Sequence, residues 1–314
     1  MTDNKIIIAG SGGIGLYFGG RLAQNGFNVY FIARGETKEQ LKKNGLKAES
    51  INGDFQIDSV QVIDDPNTFG IANLILVCVK THQLNDIIPQ IKPMVGEETV
   101  ILPLLNGVVA PTILSEALGH EKVLGGLCML SSFKIGPNHI KHVSLDPTIT
   151  FGELKRARTP RVDQIKEIFD NAGFKSIIHD NFLTPYWTKM TFISTISGIG
   201  AITRSPVGVY RSVPETRELI QQTIQEIVAV ARKSGAELPD SIVETTLHTI
   251  DNLPGHTIAS MHRDIANGMP SELYEQNGTV HNLGKKFGVE TPVNTFIFYS
   301  LLPQELKARK KDEK

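Results

Sequence analysis

Apolar positions along the chain fall into two regimes. In the first half, short continuous runs at Ile6–Ala9, Val29–Ala33, Ala72–Val79 and Thr99–Leu105 alternate with polar stretches of helical spacing or loop character. Such runs, bounded by turn residues, predict strands buried on both faces, and their alternation with helical segments predicts a parallel sheet wrapped by helices. Gly45–Val62 alternates more loosely around Asn52-Gly53, a dipeptide that favours tight hairpin turns, and predicts a strand or hairpin insertion. Lys122–Leu130 and His139–Gly152 read as further strands extending the same sheet. Asp163–Ala172 reads as a helix stopped by Gly173, followed by a short strand near Lys175–His179.

From about Pro185 the pattern becomes helical. Tyr186–Ala201, Pro214–Ser234, Asp240–Asn252, Ile258–Asn267, Glu272–Phe287 and Thr291–Lys307 are the predicted helices, with stop signals such as Ser234-Gly235, Asn267-Gly268 and Gly288 at their ends. In Pro214–Ser234 one face carries Leu219, Thr223, Ile227, Val230 and Ala231, with charges opposite. The expected architecture is α/β, with a Rossmann-type doubly wound domain over residues 1–183 and an all-α domain over 184–314. Open sheets of this kind bind ligands beyond the carboxyl ends of their strands, so an active cleft is expected between the two domains.

Composition narrows the class. A chain of 314 residues exceeds one typical core. With 40% apolar and 21% charged residues and a net charge of −1, it has no general electrostatic pull toward nucleic acid or membrane. Cys78 and Cys128 sit in apolar runs with no Cys/His spacing, so they read as core thiols with no metal site or disulfide framework. The polar start Thr2-Asp3-Asn4 and the absence of a long apolar run predict a cytoplasmic protein without signal peptide or membrane span. The basic end, Lys307–Lys314, reads as a frayed tail.

Chemistry enters at the first strand, which runs directly into Gly10-Ser11-Gly12-Gly13-Ile14-Gly15 and then an apolar-periodic segment. In this G-x-G-x-x-G pattern Gly10 permits the tight turn, Gly12 admits a pyrophosphate and Gly15 lets helix pack on strand. Unpaired N–H groups at the helix start favour the phosphates. The second strand ends in Arg34, 19 residues after Gly15. Its planar fork suits the 2′-phosphate of NADP, whereas an enzyme for NAD usually has an acidic residue here; Glu36 is close by.

Three further segments carry groups suited to carbonyl reduction, which needs a proton donor and donors that hold the substrate. Asn106, at the end of an apolar strand, offers both amide donor and carbonyl acceptor, or simply forms an Asn-Gly turn with Gly107. Lys189, amid Met190, Phe192, Ile193 and Ile196, is either a desolvated proton donor or a lysine whose ammonium reaches water along an apolar stem. Ser260 and Asp264 share a helix face, followed by Glu272; Ser260 could bind a substrate carboxylate and Glu272 the cofactor or lysine, or all three are ordinary polar groups facing water.

Taken in series, these residues resemble the ketopantoate reductase family, the NADPH-dependent 2-dehydropantoate 2-reductases, over essentially the whole chain. The matching positions are Gly10, Gly12, Gly15 and Arg34, then Lys80-x-x-Gln83, Asn106-Gly107, Trp187-x-Lys189, Pro206 and Gly208, Ser260-Met261-x-x-Asp264, Glu272 and Asn277-Gly278. The resemblance implies NADP(H) bound by the glycine turn, Arg34, Lys80, Asn106, Ser132 and Glu272. It further implies Lys189 as catalytic proton donor to the ketone and a 2-keto acid held by Asn106, Lys189, Ser197 and Ser260. The implied reaction gives pantoate for pantothenate biosynthesis; a homodimer is left open. Three positions depart from the pattern. Ile193, Ser197 and Val207 stand where the family commonly has asparagine. Each lost hydrogen bond to a charged substrate costs roughly 1.5–3 kcal/mol, or about one to two decades in affinity. A reductase of another small 2-keto acid and a non-catalytic NADPH-binding sensor are the alternatives.

Overall fold

A computed structural model describes residues 4–312; the start Thr2-Asp3 and the last two residues of the basic tail lie outside them. The chain divides into two compact units, residues 1–105 with 109–182, and residues 106–108 with 183–314.

The first unit runs β1 (Lys5–Ala9), α1 (Gly13–Gln24), β2 (Asn28–Ile32), α2 (Gly35–Asn44), β3 (Leu46–Ser50), β4 (Phe55–Ile57), β5 (Gln61–Val62), β6 (Ala72–Val77) and α3 (Leu84–Ile91). It continues with β7 (Val95–Pro103), α4 (Ala110–Leu118), β8 (Leu124–Gly136), β9 (His139–Glu153), α5 (Pro160–Asn171) and β10 (Lys175–Ile178). One sheet is wholly parallel in the order β5-β2-β1-β6-β7. Its central strands are apolar without alternation because both faces are covered. Ile6 and Ile8 point into a cluster with Leu16, Phe18 and Phe31, while Ile7 and Ala9 face Ile75, Leu84 and Leu114 on the other side.

Lys122–Leu130 and His139–Gly152 do not extend that sheet. They form the antiparallel pair β8–β9 of a second sheet, ordered β10-β9-β3-β4, and the isolated bridge Ile101–Val123 lies just before β8, beside β7 of the first. A strand's apolar pattern says which face is buried, not which edge it joins. The hairpin expected around Asn52-Gly53 is β3–β4, with Gly53 in the left-handed region at φ 94°. Helix α1 has apolar groups on both sides. Phe18 meets Phe174 at 5.0 Å between ring centroids, and Tyr17 meets His142 of β9 at the same separation.

The second unit is helical: α6 (Leu183–Thr203), α7 (Val207–Tyr210), α8 (Pro214–Lys233), α9 (Ile242–Asp251), α10 (Ser260–Ala266), α11 (Thr279–Phe287) and α12 (Pro292–Asp312). Helix α6 is buried around most of its circumference from Met190 onward, with Trp187 fully enclosed. Its hydroxyls are accommodated by bonds such as Thr195 to the Thr191 carbonyl at 2.7 Å. It stops at Arg204, whose φ of 53° is unusual for a side-chain-bearing residue.

Two expectations are corrected here. Glu272–Phe287 is not one α-helix: Tyr274–Gly278 form a π-helical turn, with its wider i→i+5 spacing, before α11 begins. The basic end is not frayed over its described residues, 307–312, either. Helix α12 continues to Asp312 with Ala308 buried, and Arg309 donates to Glu305 at 2.7 Å and lies over the Tyr274 ring at 4.6 Å. No helix among the described residues is long and apolar enough to cross a membrane.

Candidate active site

In the first unit the chain leaves β1 through Gly10, at φ 120°, a conformation that L side chains rarely adopt. A Cβ on Gly15 would lie 1.9 Å from the Gly10 carbonyl oxygen, so only glycine lets α1 close on the turn. A Cβ on Gly12 would meet nothing within 4 Å. Gly12 is the N-cap of α1, and the first bond of the helix runs from Leu16 N–H to its carbonyl at 2.9 Å. The N–H groups of Gly13, Ile14 and Gly15 thus precede any intrahelical acceptor. Open space in front of unsatisfied donors at the positive end of a helix is what a pyrophosphate requires. Ser11 completes the turn.

Two other predicted residues border this turn. β6 emerges next to β1, the Cys78 N–H donating to the Ala9 carbonyl at 2.8 Å, and Lys80 follows two residues later. The Lys80-x-x-Gln83 spacing has a local cause: the Lys80 N–H donates to Gln83 Oε1 at 3.1 Å, closing a 3₁₀ turn over Thr81–Gln83 that fixes the lysine's exit. Ser132 lies on β8, its carbonyl oxygen 2.3 Å from where a Cβ on Gly13 would be, and its buried Oγ has no hydrogen-bond partner. An orphaned hydroxyl beside the glycine turn is a polar group that a bound dinucleotide could satisfy. Arg34 is exposed at the N-cap of α2.

Burial raises the Cys78 thiol well above the ordinary range, and Cys128 is buried. Both read as inert thiols, Cys128 within the core and Cys78 partly buried against it. Among the described residues no cluster of three or more His, Cys, Asp or Glu could hold a metal.

In the second unit, Asn106 Nδ2 donates to Glu272 Oε2 at 2.8 Å, joining residues far apart in the sequence. Gln276 Nε2 approaches the same oxygen at 3.3 Å. Two amides thus fix a carboxylate that is 8% exposed. Gln276 is a residue to which the sequence assigned no role; its spacing of four from Glu272 was the available signal. It lies in the π turn with Glu275 and Asn277, and each of the three has one buried oxygen without a partner. Burial raises the Glu275 carboxyl to about 7, the nearby charges of Glu272 and Glu305 add to this, and Arg309 at 3.8 Å only partly opposes it.

Lys189 is half-buried on α6, between buried Trp187 and Met190. Ser260 is half-buried as the first residue of α10, and Asp264 follows one turn later. Helix α10 packs on α6 where His262 closes on Gly200, and burial holds that imidazole below its ordinary pKa. Ser197 is fully buried and its Oγ has no partner. Ile193 and Val207, at the other two divergent positions, pack on the hydrophobic core of this unit.

The family model described as ketopantoate reductase PanE/ApbA matches residues 6–156, and its C-terminal counterpart matches residues 181–304. An uncharacterized oxidoreductase of Bacillus subtilis is 31% identical over 297 residues, which cover 95% of this chain and 97% of its own. A 2-dehydropantoate 2-reductase of Nostoc is 28% identical over 308 residues, 96% of this chain and 95% of the relative. The crystal structure of a 2-dehydropantoate 2-reductase from Geobacter metallireducens superimposes with a TM-score of 0.90 at 30% identity, covering 96% of this chain and 99% of that one.

Proposed function

This chain belongs to the ketopantoate reductase family of oxidoreductases, and we propose that it reduces 2-dehydropantoate to pantoate with NADPH. NADPH, when bound, supplies the hydride to the keto carbon. The chain's own groups bind, orient and protonate. The turn from Gly10 to Gly15 seats the pyrophosphate, with Lys80 adding a cation and Ser132 a hydroxyl beside it. Arg34 takes the 2′-phosphate with its planar fork. Asn106, tied to Glu272 through one N–H, keeps its carbonyl oxygen and second N–H to orient nicotinamide and substrate. Ser260 donates to the substrate carboxylate. Lys189 gives a proton to the keto oxygen as negative charge develops there, a role worth roughly two to four decades in rate.

The observation that carries this reading is the 2.8 Å bond between Asn106 and Glu272. Two residues with separate implied roles at the reacting end of the cofactor are held by each other, and Gln276 donates to the same carboxylate oxygen.

A second reading keeps the chemistry and changes the substrate. Ile193 and Val207 cannot donate, and Ser197 is enclosed. That set supports a 2-keto acid with a less polar side chain than dehydropantoate, whose hydroxyl would lose partners here. Following NADPH consumption with 2-dehydropantoate and a panel of branched, linear and aromatic 2-keto acids separates the two. The highest kcat/KM on dehydropantoate supports the first reading; a decade or more in favour of an unhydroxylated acid supports the second. No consumption with any acid, despite NADPH binding, supports the sensor and removes both.

A further inference from the structure

Arg34 argues for a 2′-phosphate, but Glu36 stands two residues later on the same turn with the opposite charge. Those two alone leave the local field close to neutral, while a phosphate monoester carries nearly two negative charges at pH 7. A third charge comes from far along the chain. Lys134 of β8 donates from Nζ to Thr37 Oγ1 at 2.5 Å, in the first turn of α2, and Glu36 is the charged group that acts on it. Lys38, in the same turn, is occupied by Asp64 at 3.1 Å.

The strand register explains why Lys134 reaches this turn. Ser132 and Lys134 oppose His142 and Ile140, so they share one face of β8, with Ser132 half-buried and Lys134 exposed nearer its end. Two residues along a strand span about 7 Å. One step of that face closes on Gly13 at the phosphate turn, and the next reaches α2 beside Arg34. From these contacts we propose that Lys134 is a specificity-determining residue that binds the 2′-phosphate of NADPH together with Arg34, outweighing Glu36. This rests on the NADPH reading above. Partial burial lowers the pKa of the Lys134 ammonium, and the charge of Glu36 opposes that shift.

The test is titration of the apoprotein with NADPH and NADH, followed by nucleotide fluorescence, with 2′,5′-ADP and 5′-AMP as competitors that lack nicotinamide. Lys134→Met is expected to weaken NADPH and 2′,5′-ADP roughly 10- to 100-fold, the cost of one charge-assisted contact, and to leave NADH and 5′-AMP within about twofold. Lys134→Arg should retain most of the preference, and Thr37→Val, which removes only the tie to α2, should change the two nucleotides equally. Equal losses of NADPH and NADH in Lys134→Met, or no loss, overturn the proposal. If Arg34→Ala abolishes the preference for NADPH while Lys134→Met does not, the cofactor reading stands and the lysine inference alone falls. If the wild-type protein binds NADPH no tighter than NADH, both fall together.

Discussion

At the scale of single residues, chemistry was more legible than surroundings. Lys189 and Glu272 are reactive types at family spacing, so the sequence singled them out. What it could not give was which neighbours hold them, because Asn106 meets Glu272 only after folding brings distant segments together. Ser197 shows the same limit. The sequence offers it as a hydroxyl for substrate, and only the folded chain shows that it is buried with its Oγ unpartnered. Lys189→Ala should lower turnover by roughly two to four decades with NADPH affinity within about twofold, since removing a general acid affects the chemical step. Steady-state rates and a binding titration check this, and an unchanged rate would remove the lysine from the mechanism.

Elements bring the glycine turn and the π turn into view. Gly12 and Gly15 look interchangeable in the motif, yet their surroundings differ. Gly12→Ala should fold with an unchanged melting temperature and lose dinucleotide binding, because its methyl group meets no protein atom and would enter the open space proposed for the pyrophosphate. Gly15→Ala should destabilise the first unit itself, because its methyl group collides with a backbone oxygen. Melting and binding measured on both variants check the contrast; a destabilised Gly12→Ala would contradict it. The π turn was invisible because one extra residue per turn leaves the surrounding apolar pattern close to helical. Its consequence is electrostatic. Glu275 titrates near 7 when folded against an ordinary 4.5, so the fold binds its proton more tightly than the unfolded chain. The stabilisation is complete below about pH 4.5 and is lost as pH rises through 7, by about 3 kcal/mol. Glu275→Gln, which keeps the shape without the charge, should flatten this part of the profile. Denaturant unfolding at pH 5 and pH 8 measures it, and identical pH dependence in both proteins would exclude Glu275 as the source.

For the whole molecule, the two fold classes were legible because each has its own period: continuous apolar runs where a parallel sheet is covered on both faces, and a 3.6-residue repeat in the bundle. Topology was less so, since the strand pattern does not record that β8 and β9 build a second sheet. The C-terminal segment was misread for a related reason. Its charges suggested solvent, whereas Arg309 is committed to Glu305 and Tyr274. Family membership accounts for the series of matching residues in both units, and the functional claim reduces to one transfer: hydride from NADPH to the 2-keto carbon. The most direct measurement uses NADPH carrying two deuterium atoms at nicotinamide C4, with 2-dehydropantoate as acceptor and mass spectrometry of the product. The account predicts pantoate with a single deuterium at C2, formed in a one-to-one ratio with oxidised cofactor. Unlabelled pantoate, or intact labelled NADPH after prolonged incubation with dehydropantoate and the other 2-keto acids, would contradict it.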